Sequence, residues 1–126
     1  MKHIEYKVKV YTDGSKVWYL NDECHREDGP AIERADGDKE WYLNGKRHRE
    51  DGPAIEYANG DKEWFLNGEL HREDGPAYEG TNGTKIWYLN GKQLTEKQFN
   101  KKMKKPCKNK VVEIDGIKYK LTVLED

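Results

Sequence analysis

Histidine and carboxylate side chains recur at a fixed spacing along this chain, and both groups bind metals or move protons. His25, His48 and His71 lie 23 residues apart, and each begins an identical His-Arg-Glu-Asp-Gly-Pro-Ala run. If each unit contributes two strands, equivalent positions lie ~10 Å apart, too far to share a zinc ion, whose ligands approach within about 2.2 Å. Catalysis also needs one asymmetric arrangement of groups, which a repeated run does not offer.

The repeated run is therefore predicted to be a structural connector, hydrogen-bonded to the neighbouring unit, with no metal and no cofactor. Gly and Pro in the run favour a crossing segment over a central strand. The predicted connector residues are His25, His48, His71, Asp28, Asp51 and Asp74.

Four glutamates are the second candidate for chemistry. In the predicted hairpins Glu33 lies opposite Glu40, and Glu56 lies opposite Glu63. Carboxylates about 5–5.5 Å apart are the geometry of retaining glycosidases. An open sheet face, however, has no pocket to exclude water or to shift a pKa. The sequence therefore predicts a protein that is not an enzyme and has no catalytic residues.

The same predicted face is a better candidate for binding a protein. Tyr42 and Phe65 alternate there with the glutamates, and rigid aromatic side chains are favoured anchors of interfaces. The alternative is that both rings only pack beneath long charged side chains, and the pattern favours neither. The predicted partner-binding residues are Tyr42, Phe65, Glu33, Glu40, Glu56 and Glu63.

A lysine-rich segment is the third candidate. Residues 95–110 hold seven lysines and one glutamate, a formal charge of +6, in a chain whose net charge is -1. The segment has no arginine and a single aromatic residue, Phe99, which is a poor platform for stacking bases. A solvated helix face is the favoured interpretation, and nucleic acid is not the expected partner. The patch that would meet an acidic partner comprises Lys97, Lys101, Lys102, Lys104 and Lys105.

Turn dipeptides with the same period must position these side chains. Asp36-Gly37 and Asn44-Gly45 are both typical of two-residue type I′ turns, so each unit is predicted to be a β-hairpin. With Asp36-Gly37 as the turn, Ile32 falls opposite Trp41, and Leu43 shares their face. This Ile-Trp-Leu face is the predicted core.

The pattern changes at both ends, as capping units require. Val8, Val10, Val17 and Tyr19 make the first hairpin apolar, which leaves open a homodimer through this edge. Thr95 with Gln98 is a capping-box signature, so a helix is predicted over about 96–104, followed by a hairpin over about 110–124. The predicted organisation is a β-repeat region at 1–94 and a cap at 95–126.

Composition limits the broad class. Only 34% of the 126 residues are hydrophobic and 37% are charged, but four Trp and eight Tyr argue for a thin folded sheet and against disorder. The chain shows neither a signal-like start nor a stretch of transmembrane length, so a cytoplasmic protein with reduced thiols and no membrane insertion is expected. The predicted fold is mainly β, a single-layer antiparallel meander of about four hairpin repeats.

The 23-residue period, with Asn-Gly-Lys-Arg-His at 44–48 and Tyr-Ala-Asn-Gly-Asp at 57–61, resembles the MORN repeat family over roughly residues 8–92. The resemblance implies an elongated β-meander and a scaffolding or phospholipid-binding role. The Arg-Glu-Asp-Gly-Pro-Ala run stands where MORN units carry a Gly-x-Gly step, which indicates a divergent subtype. The run is similar to repeats of uncharacterised bacterial and phage proteins, and small phage proteins often inhibit host proteins.

The predicted function is a non-enzymatic protein–protein interaction module with one protein partner. The resemblance narrows this expectation to a phage-encoded inhibitor of a host or defence protein, acting in the bacterial cytoplasm. Two alternatives stay open. One is a structural protein that self-associates through its N-terminal edge, and the other is a nucleic-acid or nucleotide binder that uses the Lys-rich segment 97–110.

Overall fold

Short β-strands separated by tight turns make up most of the molecule. The computed structural model describes residues 5–104, 110–114 and 117–121. The strands and the helix, in chain order, are β1 Tyr6–Val10, β2 Lys16–Leu20, β3 Glu23–Cys24, β4 Ile32–Glu33, β5 Lys39–Glu40, β6 Tyr42–Leu43, β7 Lys46–Arg47, β8 Ile55–Glu56, β9 Lys62–Glu63, β10 Phe65–Leu66, β11 Glu69–Leu70, β12 Tyr78–Glu79, β13 Lys85–Leu89, β14 Lys92–Leu94, α1 Glu96–Lys104, β15 Lys110–Ile114 and β16 Ile117–Leu121.

One antiparallel sheet of ten strands organises the repeats. Its order is β1-β2-β4-β5-β8-β9-β12-β13-β14, with β3 paired to β2, so these strands follow one another across the sheet in chain order. Two hairpins, β6–β7 and β10–β11, form separate two-stranded sheets. The predicted antiparallel meander, mainly β with one short helix, is confirmed.

The register within each hairpin differs from the prediction by one residue. Ile32 pairs with Glu40 and Glu33 with Lys39, whereas the sequence predicts Glu33 opposite Glu40. The reason is the turn. The Arg34 N–H donates to the Asp38 carbonyl at 2.9 Å, the Asp38 N–H donates to the Asp36 side chain, and Gly37 alone has a positive φ, at 104°. This turn is one residue longer than type I′, and a shift of one residue moves every side chain to the other face.

The prediction of a type I′ turn is correct at the other end of the unit. Asn44 and Gly45 have φ values of 52° and 79° and connect β6 to β7 with Leu43 opposite Lys46. Both central residues of a type I′ turn need positive φ, which Asn and Gly adopt readily. The unit therefore uses two turn types that look alike as dipeptides.

The corrected register gives the sheet two dissimilar faces. The first, which we call the Trp face, carries a cross-strand row of alternating charge: Lys16, Glu33, Lys39, Glu56, Lys62, Glu79 and Lys85. The second, the Ile face, carries the row Val17, Ile32, Glu40, Ile55, Glu63, Tyr78 and Ile86. Opposite charges on directly opposed strand positions stabilise a sheet by roughly 0.2–1 kcal/mol a pair.

The hydrophobic core is small and lies where the strands leave the main sheet. The Trp41 N–H donates to the carbonyl of Ala54, which is fully buried, and Ala31 and Ala77 are equally buried in equivalent positions. Ala54, Ile55 and Phe65 form the central cluster, with Trp41, Tyr57 and Leu70 packed around it. The predicted Ile-Trp-Leu face is therefore wrong, because Ile32 lies on the opposite face from Trp41.

The two ends of the array are finished differently. At the C-terminal end, α1 contacts β13 and β14, and Leu94 and Phe99 are buried. The predicted capping box is present, because the Gln98 N–H donates to the Thr95 hydroxyl and the Thr95 N–H donates to the Gln98 side chain. At the N-terminal end, every residue of β1 is exposed.

The final hairpin consists of β15 and β16, which pair antiparallel. Its predicted turn, Asp115-Gly116, and the predicted residues 122–124 lie outside the described residues. Within the described part of the chain, no helix is both long enough and apolar enough to cross a membrane.

Candidate functional site: the clefts between connectors

Three copies of one cation–aromatic contact fix the connectors, residues 25–31, 48–54 and 71–77, to the Trp face. The Arg49 guanidinium carbon lies 3.9 Å from the centre of the Trp41 ring. The same contact measures 3.9 Å for Arg26 on Trp18 and 3.8 Å for Arg72 on Trp64. Such contacts are worth about 0.5–2 kcal/mol. Each connector is therefore tied to the tryptophan that precedes it in the chain.

Polar contacts hold the same arginine in a single orientation. The Arg49 Nε donates to Asp51 at 3.0 Å, and its Nη1 donates to the Pro53 carbonyl and to Glu56, both at 3.1 Å. Arg26 and Arg72 make the equivalent contacts with their own connectors. The glutamate on the Trp face is thus paired with an arginine in each repeat.

The glycine of each connector leaves room for this arginine. A Cβ at Gly52 would lie 3.0 Å from the Arg49 guanidinium carbon, and Gly29 and Gly75 give the same distance to Arg26 and Arg72. Real Cβ atoms rarely approach other heavy atoms this closely. These three glycines do not have a positive φ, so their backbone conformation does not require glycine. The close approach of the arginine side chain is what requires it.

The connector histidines hold the next hairpin. The His25 Nδ1 accepts the backbone N–H of Asn44 at 2.9 Å, His48 accepts that of Asn67 at 2.9 Å, and His71 accepts that of Asn90 at 2.8 Å. The Nε2 atom therefore carries the proton in the neutral ring. The backbone adds to the contact, since the Arg26 N–H donates to the Tyr42 carbonyl. Each connector thus joins two successive repeats.

An open cleft lies between each pair of successive connectors. The first has a volume of ≈ 740 Å³, a floor of Trp41 and Leu43, and walls formed by connectors 25–31 and 48–54. The second has a volume of ≈ 510 Å³, a floor of Trp64 and Leu66, and walls formed by connectors 48–54 and 71–77. The two clefts have the same residue types in the same order.

No family model, curated protein or solved structure matches this chain. The function is therefore inferred from the geometry of the clefts and of the two sheet faces.

Carboxylates dominate the rims of both clefts. The side chains of Glu27, Glu50 and Glu73 are 73%, 84% and 73% exposed, and each lies near a histidine Nε2 of the same connector, at 3.9, 3.5 and 3.6 Å. Glu27 also accepts a hydrogen bond from the Tyr6 hydroxyl at 3.2 Å. Asp28, Asp51 and Asp74 are also exposed and accept from the connector arginines. The rims therefore present negative charge above an apolar floor.

The six residues predicted to bind a partner do not form one surface. Glu33 and Glu56 lie on the Trp face, whereas Glu40, Glu63, Tyr42 and Phe65 lie on the Ile face. Phe65 is only 8% exposed and belongs to the core cluster. The one-residue shift in register separates residues that the sequence placed together.

Glu40 is the most enclosed acidic group among the described residues, at 5% exposed. Its Oε2 accepts two hydrogen bonds from Arg34, and its Oε1 accepts from the Tyr42 hydroxyl and from Arg47. Burial and the Glu40 charge raise the pKa of the Tyr42 hydroxyl. A buried carboxylate saturated by four donors is a structural group, because no lone pair is left for a substrate proton.

Among the described residues, the Cys24 thiol is the remaining candidate nucleophile. Burial and the neighbouring Glu40 raise the pKa of the Cys24 thiol, which favours the unreactive protonated form. Within the described ranges, no three His, Cys, Asp or Glu side chains are grouped so as to hold a metal ion. Cys107 lies outside the described residues.

The predicted lysine patch is partly described. Lys97, Lys101 and Lys102 are exposed on α1, at the opposite end of the array from β1. Lys104 ends the helix, and Lys105 lies outside the described residues. The patch and the acidic clefts are therefore on different parts of the repeat array.

Sequence reasoning identified the connectors but not the clefts. The cleft walls come from two connectors 23 residues apart and the floor from the strand between them. A usable signal in the sequence was the recurrence in each unit of a Trp and a Leu two residues apart, followed by a Glu-Asp pair. Only the corrected register shows that both pairs meet on the Trp face.

Proposed function

We propose that the chain is a non-enzymatic protein–protein interaction module that binds an extended basic segment of another protein along its two clefts. The observation that carries the proposal is the repeated combination of an apolar Trp-Leu floor with exposed carboxylate walls. Long basic side chains match this combination, because they lay a methylene stem on apolar surface while the charged head reaches a polar rim.

The charge balance of the walls supports a basic ligand. The arginine of each connector is already engaged by its aspartate, by a strand glutamate and by an indole ring. Glu50 and Glu73 have only a histidine Nε2 within salt-bridge distance, and Glu27 has its histidine and one hydrogen bond from the Tyr6 hydroxyl at 3.2 Å. These carboxylates are the groups with free acceptor capacity, and each accepts a charge-assisted hydrogen bond from an incoming lysine or arginine.

The spacing of the clefts specifies the form of the ligand. Equivalent positions of successive repeats are two strand spacings, or ~10 Å, apart. A polyproline II segment rises about 3.1 Å per residue and completes a turn every three residues. Basic residues three positions apart on such a segment therefore point to the same side and reach both clefts together.

Two labelled peptides test the proposal by fluorescence anisotropy: one repeats Lys-Pro-Pro and the other repeats Glu-Pro-Pro. We expect the lysine peptide to bind and the glutamate peptide not to bind. The triple variant Glu27→Lys/Glu50→Lys/Glu73→Lys should lose the lysine peptide and gain the glutamate peptide. The matched control is Glu69→Lys, an exposed carboxylate on β11 outside both clefts.

The proposal fails if both peptides bind equally, or if the triple variant binds the lysine peptide as well as the parent protein. Circular dichroism of the variants separates loss of binding from loss of fold. Binding should also weaken as salt is raised, because exposed charges are screened beyond about 8–10 Å at physiological ionic strength.

The narrower proposal, a phage-encoded inhibitor of a host or defence protein, is supported by the sequence resemblance alone. Its test is affinity capture from a bacterial lysate, with the triple cleft variant as the control bait. A bacterial protein that is retained in stoichiometric amount by the parent chain and released by the variant would support it. Capture that is equal on both baits would contradict it.

A further inference from the structure

The N-terminal edge of the main sheet is a second interaction surface, and it touches the first cleft through the Tyr6 hydroxyl, which donates to Glu27 at 3.2 Å. Among the described residues β1 pairs with β2 only and ends the sheet. Tyr6, Val8 and Val10 are 43%, 46% and 63% exposed, among the largest values for the described hydrophobic side chains. An unpaired strand with exposed apolar side chains is a template for pairing with another strand.

The hydrogen-bonding groups of this edge are placed by the hairpin. The Tyr11 N–H donates to the Ser15 carbonyl across the hairpin. The backbone N–H and carbonyl groups of the odd-numbered residues of β1 therefore point toward β2. Val8 lies opposite Trp18, whose N–H donates away from β1 to Ala31. The N–H and carbonyl groups of Tyr6, Val8 and Val10 consequently point outward, away from β2.

Side-chain alternation gives the edge a distinct chemistry on each face. Val8 and Tyr6 pair with Trp18 and Leu20, which places the apolar residues of β1 on the Trp face. Lys7 and Lys9 pair with Tyr19 and Val17 and lie on the other face. An added strand therefore meets apolar side chains on one face and two lysines on the other.

A second copy of the chain paired through the centre of β1 does not match this pattern. An antiparallel pair centred on Val8 places Lys7 of each copy opposite Lys9 of the other, and like charges directly opposite each other are destabilising. Continuation of the repeat array would place Lys9 opposite Ile86 and Val10 opposite Lys85, by analogy with the pairing of β2 and β4. That end of the array is in addition covered by α1.

We propose that β1 accepts an extended segment of a partner protein as an additional antiparallel strand. The segment alternates carboxylate side chains, which face Lys7 and Lys9, with apolar side chains, which face Tyr6, Val8 and Val10. Main-chain hydrogen bonds provide the pairing, and the alternating side chains select the segment. This partner segment is acidic, whereas the clefts take a basic one.

The test uses a labelled peptide that alternates valine with glutamate. Its length is about seven residues, which is within the usual length of a strand. We expect the peptide to bind and to slow hydrogen exchange at the amides of Tyr6, Val8 and Val10. Reversal of both lysines, Lys7→Glu/Lys9→Glu, should weaken binding by roughly tenfold or more, since two attractive cross-strand pairs become repulsive. The same variant should gain binding of a valine–lysine peptide.

A backbone variant tests the edge itself. Val8→Pro removes an outward N–H without removing a bond to β2, and proline is tolerated at that position of an edge strand. It should abolish peptide binding and leave the circular dichroism spectrum unchanged. Should this variant lose its fold, the lysine reversal still decides the question, because both lysines are exposed.

Three outcomes would overturn the proposal. One is binding that survives both variants, and another is the absence of slowed exchange at the β1 amides. The third is a concentration-dependent dimer of the parent chain, seen by light scattering and lost on Val8→Pro, which would make a second copy the occupant. The cleft variant Glu50→Lys/Glu73→Lys, which keeps the Tyr6–Glu27 hydrogen bond, should retain the valine–glutamate peptide, so failure here and failure of the cleft proposal are distinguishable.

Discussion

The Trp face and the Ile face belong to the same strands but follow different rules. On the Trp face, the arginine of each connector contacts a tryptophan at 3.8–3.9 Å and an aspartate at 2.7–3.0 Å in all three repeats. Its contact with the strand glutamate recurs as well, and it is shortest for Arg72–Glu79. On the Ile face, Glu40 is surrounded by two arginines and a tyrosine, while Glu63 accepts from Tyr57 beside Phe65. Contacts that hold a repeat to its connector are copied, and contacts that fill the Ile face vary.

The difference assigns separate roles to the two faces. A repeated array needs identical contacts between successive units, because each unit buries its apolar surface only against its neighbours. The contacts that join successive repeats occupy the Trp face, which is why the clefts there are lined by the same residue types. The Ile face is free to differ between repeats, so it carries the packing that is specific to each position. Four sets of substitutions test this division between the faces.

Phe65→Ala should lower the free energy of unfolding by about 3 kcal/mol, because it removes the largest buried side chain of the core cluster. The equivalent change in the preceding repeat, Tyr42→Ala, should cost less than half as much, since Tyr42 is only half-buried. Denaturant unfolding followed by tryptophan fluorescence measures both values. Equal losses would contradict the idea that the Ile face differs between repeats.

Glu40→Gln should lower the free energy of unfolding by about 1–2 kcal/mol, because it replaces a buried carboxylate that holds two half-exposed arginines. Glu63→Gln keeps an acceptor for the Tyr57 hydroxyl and should cost less than about 1 kcal/mol. Thermal unfolding of the two variants side by side is the measurement. The division between faces would be weakened if Glu63→Gln were the more harmful change.

Gly52→Ala should cost about 1 kcal/mol, because its Cβ presses on the Arg49 guanidinium. The cost should shrink in an Arg49→Ala background, where the obstructing group is absent, and a double-mutant cycle gives the coupling. Gly29→Ala with Arg26→Ala is the matched pair in the preceding connector and should give the same coupling within about 0.5 kcal/mol. Unequal coupling energies in the two connectors would argue against identical arginine–glycine contacts in successive repeats.

The smallest expected effect is a pH dependence at the turns. Hydrogen bonds, chiefly from the Thr81 N–H of the next repeat, lower the pKa of Asp61 below its ordinary value of 3.8. Because the folded-state pKa is depressed, the stabilisation is present above the unfolded value and is lost as pH falls through the folded value.

Asp61→Asn should therefore make the melting temperature fall less steeply as the pH is lowered. The difference should be small because Asp61 is solvated. Melting curves of this variant and of the control Glu69→Gln, recorded from neutral pH down to about pH 3, provide the comparison. A variant that loses stability in acid as steeply as the parent would show that the turn contact does not titrate.

Local rules accounted for much of the fold in advance. The period of Trp and His predicted the number of repeats, and Thr95 with Gln98 predicted a helix with the observed bounds, Glu96–Lys104. These features depend on residues close together in the chain, where turn chemistry and capping are strong signals.

The register was missed because Asp36-Gly37 and Asn44-Gly45 look alike as dipeptides. The distinguishing feature is the residue after the glycine, Asp38, whose N–H donates to the Asp36 side chain and lengthens the turn. A second signal was available in the charges. The predicted register opposed Glu33 with Glu40, whereas the observed one opposes Glu33 with Lys39, and like charges in direct opposition are unfavourable.

The clefts could not be derived from local patterns, because their walls join residues from separate repeats. The need for Gly52, for example, comes from a guanidinium three residues away that is folded back over Trp41. Dipeptide and periodicity rules treat such a glycine as a turn residue. Its true constraint is visible only when the arginine, the indole and the connector backbone are seen together.

The contacts between successive units all run from one unit to the next in the chain, and this has a consequence for how the gene can change. At both margins of the sheet a side chain accepts a backbone N–H from the unit that comes next in the chain: His48 accepts from Asn67, and Asp38 accepts from Ala58. An in-frame duplication of 23 codons supplies a new unit with its acceptors and donors already matched to both neighbours. Each such event lengthens the protein by one more identical cleft, so descendants can change the number of contacts with a partner by unequal recombination and without altering a single amino acid.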